Sequence, residues 1–488
     1  MTALERVLGR GRPLPLGADR LALIALALVA FRFANWTWLS ARIPGEGAAI
    51  ANDAVQYFSF LVFVVLVAIS CRATLPKRIR RWRPGRVLVL APLVLVVVGG
   101  LVSASIIRGL PTDAQQIDDA NAMAVCGAQA ISAGQNPYHL KEVNCLRNLG
   151  VSTTLATPLR KGPFARLDGY PTPAQIEAAV QSSSRHGGTQ TLFSGLAKPP
   201  LDLAVMLPVD HASSQVRALW TLLAAAVFAV LLGIAAGPLW AAALAAFIGT
   251  YYIPGSAINF ASFGNAESIA YLLMALSVLW IKRPVISGIC LGIAIGSNEL
   301  ALFFLPAYLL ICLRLPGQSR RLLGLVLAVV IGVVPWIFRY PDAITTIWRN
   351  LTAPTFPLGY GPSLLILQRL IKPPPPDLLL GLTAVAMALI LIWGWLRPNW
   401  RISAGVIMLA GFWLSWRSLD EYMAQVPLLA LAAILALLAT SDLMVSGPGS
   451  DGPALALRKG GTVATPEVPD SPPSRSAGGA EPDFRADD

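Results

Sequence analysis

Charge is scarce in this chain. Asp, Glu, Lys and Arg make up 13% of its 488 residues, too few to cover the surface of a soluble protein of that length. Histidine numbers only 3, and none of the 5 cysteines stands at a spacing from histidine that suits zinc. No internal repeat is visible, so an inverted-repeat transporter gains no support. No cleavable leader is expected. Arg6, Arg10, Arg12 and Arg20 precede an apolar stretch that runs past Phe31 to Trp38 without a small-residue cleavage pattern. That stretch is expected to be a retained first membrane helix.

Apolar residues are abundant, at 55% of the chain, and the mean hydropathy is +0.62. They come in long blocks and not in amphipathic stripes. Arg86 and Arg108 enclose one run without charge, and Leu379 to Leu396 is another. Runs of roughly 17–25 apolar residues match the hydrocarbon core of a bilayer. Backbone groups there need internal partners, and the runs are too long for barrel strands, so they predict helices.

The net charge of +12 does not point to nucleic acid. The bases sit in short loops between apolar runs, which is the positive-inside pattern. The loop from Arg72 to Arg86 is the strongest such anchor. Lys282 with Arg283, Arg314 with Arg320 and Arg321, and Arg397 with Arg401 are others. These anchors predict an all-α, multi-pass protein of the plasma membrane with both termini cytoplasmic. About a dozen helices are expected: near 20–40, 54–71, 87–107, 216–236, 238–254, 264–281, 284–297, 300–313, 321–338, 378–396, 402–418 and 422–440. Leu201 to Pro208 is too short to span and reads as a re-entrant or interfacial piece. The implied organisation is three membrane helices in 1–107, an extracytoplasmic loop subdomain in 108–200, a helix bundle in 201–441 and a disordered tail in 442–488.

Cys71, Cys290 and Cys312 fall in or beside apolar helices and read as inert packing residues. Cys126 and Cys145 both lie in the expected outer loop, on the oxidising side, and are expected to form a disulfide.

Polar residues collect on the expected outer face. They include Asp53, Asp113, Asp118, Asp119, Asn265, Glu267, Asn298, Glu299, Arg339, Tyr360, Arg417, Asp420 and Glu421. Acids and arginines near a bilayer are costly and mark function or tight pairing. The plainer alternative for Asn298 and Glu299, for Asn265 and Glu267, and for Asp118 and Asp119 is the polar start of a helix.

Several short segments carry a resemblance. They are Asp118-Asp119-Ala120-Asn121, the turn Gly134-Gln135-Asn136-Pro137-Tyr138, and Lys198-Pro199-Pro200 through Pro208. Gly264-Asn265-Ala266-Glu267, the Gly-rich hairpin from Gly288 to Pro306, and Arg417-Ser418-Leu419-Asp420-Glu421-Tyr422 complete the set. In order and side the chain resembles the GT-C superfamily of membrane glycosyltransferases, and within it glycosyltransferase family 87 and its mannosyltransferase relatives. The resemblance implies a polyprenyl-phosphate sugar as donor, mannose or arabinose in type, and an extracytoplasmic glycan or glycolipid as acceptor, with membrane lipids around both. It implies inverting transfer with Asp118 or Asp119 as the base. Asp53 is the alternative counterpart of the family acid. Arg417, then Arg339 and Lys198, suit the leaving phosphate; the alternative for each is snorkelling to head groups. Asp113, Asn265, Glu299 and Tyr360 are the remaining candidates for holding substrate. No spacing demands a cofactor, though the acids leave room for a divalent metal. A transporter or lipid flippase for envelope precursors is the competing expectation.

Overall fold

The computed structural model describes residues 17–34, 46–75, 119–153, 164, 167, 169–186, 196, 198–253, 255–313, 315–352, 358–359, 361–367, 370–415, 417–418 and 420–445. The expected helix at 87–107, the acids Asp113 and Asp118, Tyr360 and the tail after Val445 lie outside these residues. The chain divides into two compact units, Met1–Ser441 and Asp442–Asp488. Of the second, only the end of one helix is described.

Among its described residues the first unit is helical, apart from one two-residue parallel pairing of Leu358–Gly359 with Arg417–Ser418. Among the described residues five segments are long and apolar enough to cross a membrane by length and composition. They are Asp53–Ser70, Ser214–Gly249, Gln318–Arg339, Asp377–Leu396 and Glu421–Leu438. Glu421–Leu438 is 78% buried, against 17% for Gln318–Arg339 and for Asp377–Leu396. The last helix is therefore the centre of this unit, and the other two present apolar faces outward. Leu219, Leu223, Val227, Val230 and Ile234 form such a face on the helix Ser214–Ala236. In water a face of that size would be a liability; against lipid it is expected.

Three apolar helices are shorter: Glu267–Leu279, Pro284–Ser297 and Glu299–Cys312, of 13, 14 and 14 residues. At 1.5 Å per residue each is about 20 Å long, less than the hydrocarbon thickness of about 30 Å. Asn298 breaks the second from the third. Its extended backbone stops one helix, and its side chain accepts the Leu300 N–H at 2.8 Å to start the next. The helix Pro284–Ser297 crosses Gln318–Gly332 on glycines. A Cβ at Gly288 would stand 2.0 Å from the Arg321 carbonyl oxygen, and one at Gly324 2.3 Å from that of Val285. Small residues at such spacing let apolar helices meet backbone to backbone.

Arginines close several helix ends. Arg20, on the helix Ala18–Ala34, donates to the carbonyls of Ser70 at 2.6 Å and Arg72 at 2.7 Å, at the end of Glu46–Ser70. Arg321 does the same for Pro316 at 2.9 Å and Ile281 at 2.6 Å. These groups satisfy carbonyls that a helix C-terminus leaves free.

Some expectations need correction. Asp53 lies inside the helix Glu46–Ser70 and is buried, not in a loop. The stretch 402–418 is not one helix. An α-helix over Arg401–Ile407 gives way to a 3-10 helix over Met408–Leu414. The polar stretch after Arg339 contains a further helix, Asp342–Thr352.

Candidate functional site

The segment 119–210 is built from short helices. Asp119–Ser132 is joined to Glu142–Asn148 by the Cys126–Cys145 disulfide, with Cα atoms 5.8 Å apart. Cys71, Cys290 and Cys312 are free and buried. The Asp119 helix lays Ala124, Val125 and Ala128 against Met206, Val209 and Ala266. Gly127 permits this approach, because a Cβ there would meet Leu196 and Leu203 at 2.5 and 2.6 Å. Asn121 donates to the Phe263 carbonyl at 3.0 Å, which sets the start of the helix beside the Gly264 turn. Gly264 has φ +75°, a conformation that favours glycine, and packs on the backbone of Arg217 and Ala218.

Pro199 and Pro200 start the helix Pro200–Met206, where proline at N1 costs no hydrogen bond. Leu201 sits where Cβ atoms at Gly296 and Gly332 would stand, 2.6 and 3.0 Å from its Cδ1. This anchor carries Lys198 and Asp202 into the interior. Both are buried, at 7% and 1% exposure.

Lys198 donates to Glu267 Oε1 through a short contact and stands 3.7 Å from Asp202 Oδ2. Glu267 Oε2 accepts from the Tyr271 hydroxyl at 3.0 Å. The Tyr138 hydroxyl, from the Asn136–Tyr138 turn, donates to the Lys198 carbonyl at 3.2 Å. Asn265 Oδ1 accepts the Glu267 N–H at 3.0 Å and so fixes the start of the Glu267 helix. Glu299, at the head of its own helix, is within electrostatic reach of Lys198 and Asp202. Glu421 and Tyr422 are within reach of Tyr271. Gly255 packs against the Glu421 backbone, and Gln425 donates to the Gly255 carbonyl at 2.7 Å.

Burial alone would discharge Lys198. Glu267, then Asp202 and Glu299, outweigh it and hold the ammonium well above the usual lysine value. Asp202 responds the other way. Burial pushes its carboxyl up to about 7, against the pull of Lys198 and with a further push from Glu267 and Glu299. Asp202 lies in a seven-residue helix, about 10 Å long and too short to cross a bilayer.

The sequence candidates therefore separate. Lys198, Asn265 and Glu299 come together. Lys198 meets carboxylates where a phosphate was expected. Asp119 is half-buried at the start of its helix, and its Oδ1 accepts the neighbouring Ala120 N–H at 3.0 Å. Arg339 is exposed, with its guanidinium 6.0 Å from the Tyr340 ring centroid. Arg417 is described only as backbone, paired with Leu358. Asp202, Tyr271 and Arg217 escape sequence reading. Asp202 had a signal: an acid inside a short apolar run, one helical turn after Lys198. Arg217 is buried beside Gly264 and donates to the Ala212 carbonyl at 2.7 Å.

Among the described residues no three His, Cys, Asp or Glu side chains are grouped to hold a metal ion. No family model, curated protein or solved structure matches the chain.

Proposed function

We propose that the chain is a membrane glycosyltransferase of the GT-C kind. It moves a sugar of mannose or arabinose type from a polyprenyl-phosphate donor to an extracytoplasmic glycan or glycolipid. In this reading about a dozen helices cross the membrane, both termini are cytoplasmic, and the segment 108–200 faces outward. One observation carries the reading. Four segments scattered along the chain, Lys198 to Asp202, Asn265 to Tyr271, Glu299, and Glu421 with Tyr422, meet in one polar centre, with the Asp119 helix packed beside it. Those are the segments on which the resemblance rests.

Transfer with inversion is a single displacement. The acceptor oxygen bonds to the anomeric carbon as the bond from that carbon to the phosphate oxygen breaks. The electron pair leaves with the polyprenyl phosphate, and the acceptor proton goes to a carboxylate. Asp118 or Asp119 is that base. Arg417 and Arg339 steady the leaving phosphate. Lys198 is engaged by Glu267, so its part is to hold the Pro199-Pro200 segment against the Glu267 helix.

The test is transfer of radiolabelled sugar from polyprenyl-phosphate donors by purified protein. Wild type transfers, and the Asp118→Asn/Asp119→Asn double variant loses at least about a hundredfold, the scale of a lost general base. Equal turnover in both removes these acids from the mechanism. A transporter has one observation in its favour, because buried ionisable groups also mark proton and ion paths. Movement of lipid-linked sugar across vesicles, with no transfer from any donor, would decide for it.

A further inference from the structure

Asp202 is the buried acid that the proposed chemistry leaves unused. Its side chain is 1% exposed, and neither carboxyl oxygen has a hydrogen-bond partner. Its nearest cation, Lys198 at 3.7 Å, makes its short contact with Glu267. One ammonium thus faces the two buried carboxyls of Asp202 and Glu267. A second polar group at this joint is also unsatisfied: Asn265 Nδ2 is buried without a partner, its Oδ1 being taken by the Glu267 N–H. A buried excess of negative charge is expensive unless something cationic balances it. The smallest balancing ligand is a proton.

We infer that Asp202 is a proton-binding site: its carboxyl carries the proton that balances its charge beside the Lys198–Glu267 pair and releases it to solvent when the pH rises. Among the described residues, Tyr340 and Trp336 pack in one cluster with Leu203, on the same short helix as Asp202. Lys198 faces Asp202 from one turn back, Glu267 and Glu299 from their own helices, and Tyr138 from its turn. The Asp119 helix, packed on the other side, has Asp119 as its one charged side chain. The helix Pro284–Ser297 has none. Release leaves uncompensated carboxylates at the joint between the Pro200, Glu267 and Glu299 helices and loosens it. The folded chain holds this proton up to about 7, whereas an unfolded aspartate sheds it at 3.8. Between those values the folded state binds more protons, so stability falls as the pH rises through that window. None of this depends on the proposed transfer activity.

Infrared spectroscopy of the purified full-length protein in detergent reads the proton directly. A carboxylic-acid C=O band that shifts in heavy water is expected in wild type near pH 6 and lost near pH 9, on either side of the shifted value. Asp202→Asn lacks the band throughout. Glu267→Gln frees Lys198 for Asp202, so the band disappears near pH 6 even though Asp202 is still present. This second variant keeps the test decisive should Asp202→Asn not fold. A band that persists in either variant overturns the inference, as does a band that only Glu299→Gln removes. Thermal unfolding gives an independent reading. The wild-type midpoint falls between pH 4 and 7 and that of Asp202→Asn stays flat; parallel curves contradict the proposal.

Discussion

Lys198 finds its partner 69 positions away, in Glu267. Nothing local in the sequence announces that pairing. A lone lysine before Pro199-Pro200 suggests a cation at a head-group boundary, and only the fold turns it inward. Asp119 illustrates the opposite case. Its place at a helix start was readable, because an acid before Ala120 and a run of small residues marks one. Asp202 was half-readable, through its place one turn after Lys198. Breaking a buried pair by removing one side leaves the other charge unpaired and costs about 3–5 kcal/mol. Lys198→Met should lose that much in denaturant unfolding in micelles. Adding Glu267→Gln to it should recover part of the loss, since residues in contact do not behave additively. Penalties that simply add would show that the two side chains do not depend on each other.

At the scale of elements, the apolar helices were legible and their contacts were not. Runs without charge gave the helices Pro284–Ser297, Glu299–Cys312 and Pro376–Leu396 nearly to the residue. The glycines of the hairpin were visible too. What they touch was not, because the crossing partner, Gln318–Gly332, is a separate segment. Asp342–Thr352 was missed because its charged and aromatic residues read as a loop, though they follow a helical period. The break at Ile407, where α-helix becomes 3-10, has no sequence signal we can identify. The glycine crossing makes a sharp comparison. Gly288→Ala drives a Cβ into the Arg321 carbonyl, and overpacking of this kind costs about 1–3 kcal/mol. Gly381 sits in Pro376–Leu396 with nothing within 4 Å of its Cβ position. Gly381→Ala should instead gain about 0.5–1 kcal/mol, by removing backbone freedom from a helix interior. Thermal unfolding of the two variants side by side checks this, and equal shifts would mean that the helices do not cross where described.

At the scale of the whole molecule, composition was enough to announce a chain of apolar helices; about a dozen spans were expected, and among the described residues five segments are long and apolar enough to cross a bilayer. It could not announce that Lys198, Glu267, Glu299 and Glu421 converge. That is a property of packing, set by Leu201 among the glycines, by Gly127 under the Asp119 helix and by Gly255 against Glu421. In the proposed function the polyprenyl-phosphate donor binds beside this convergence, along the Asp119 helix that packs on it. A photoreactive polyprenyl-phosphate probe, applied to the full-length protein in nanodiscs and mapped by peptide mass spectrometry, tests it most directly. The expected labelling is confined to peptides from 119–132, 198–210, 264–279, 336–342 and 417–425 and is abolished by excess unlabelled polyprenyl phosphate. Labelling that falls only on the loops at 72–75, 282–283 and 397–401, or that excess lipid does not displace, would contradict it.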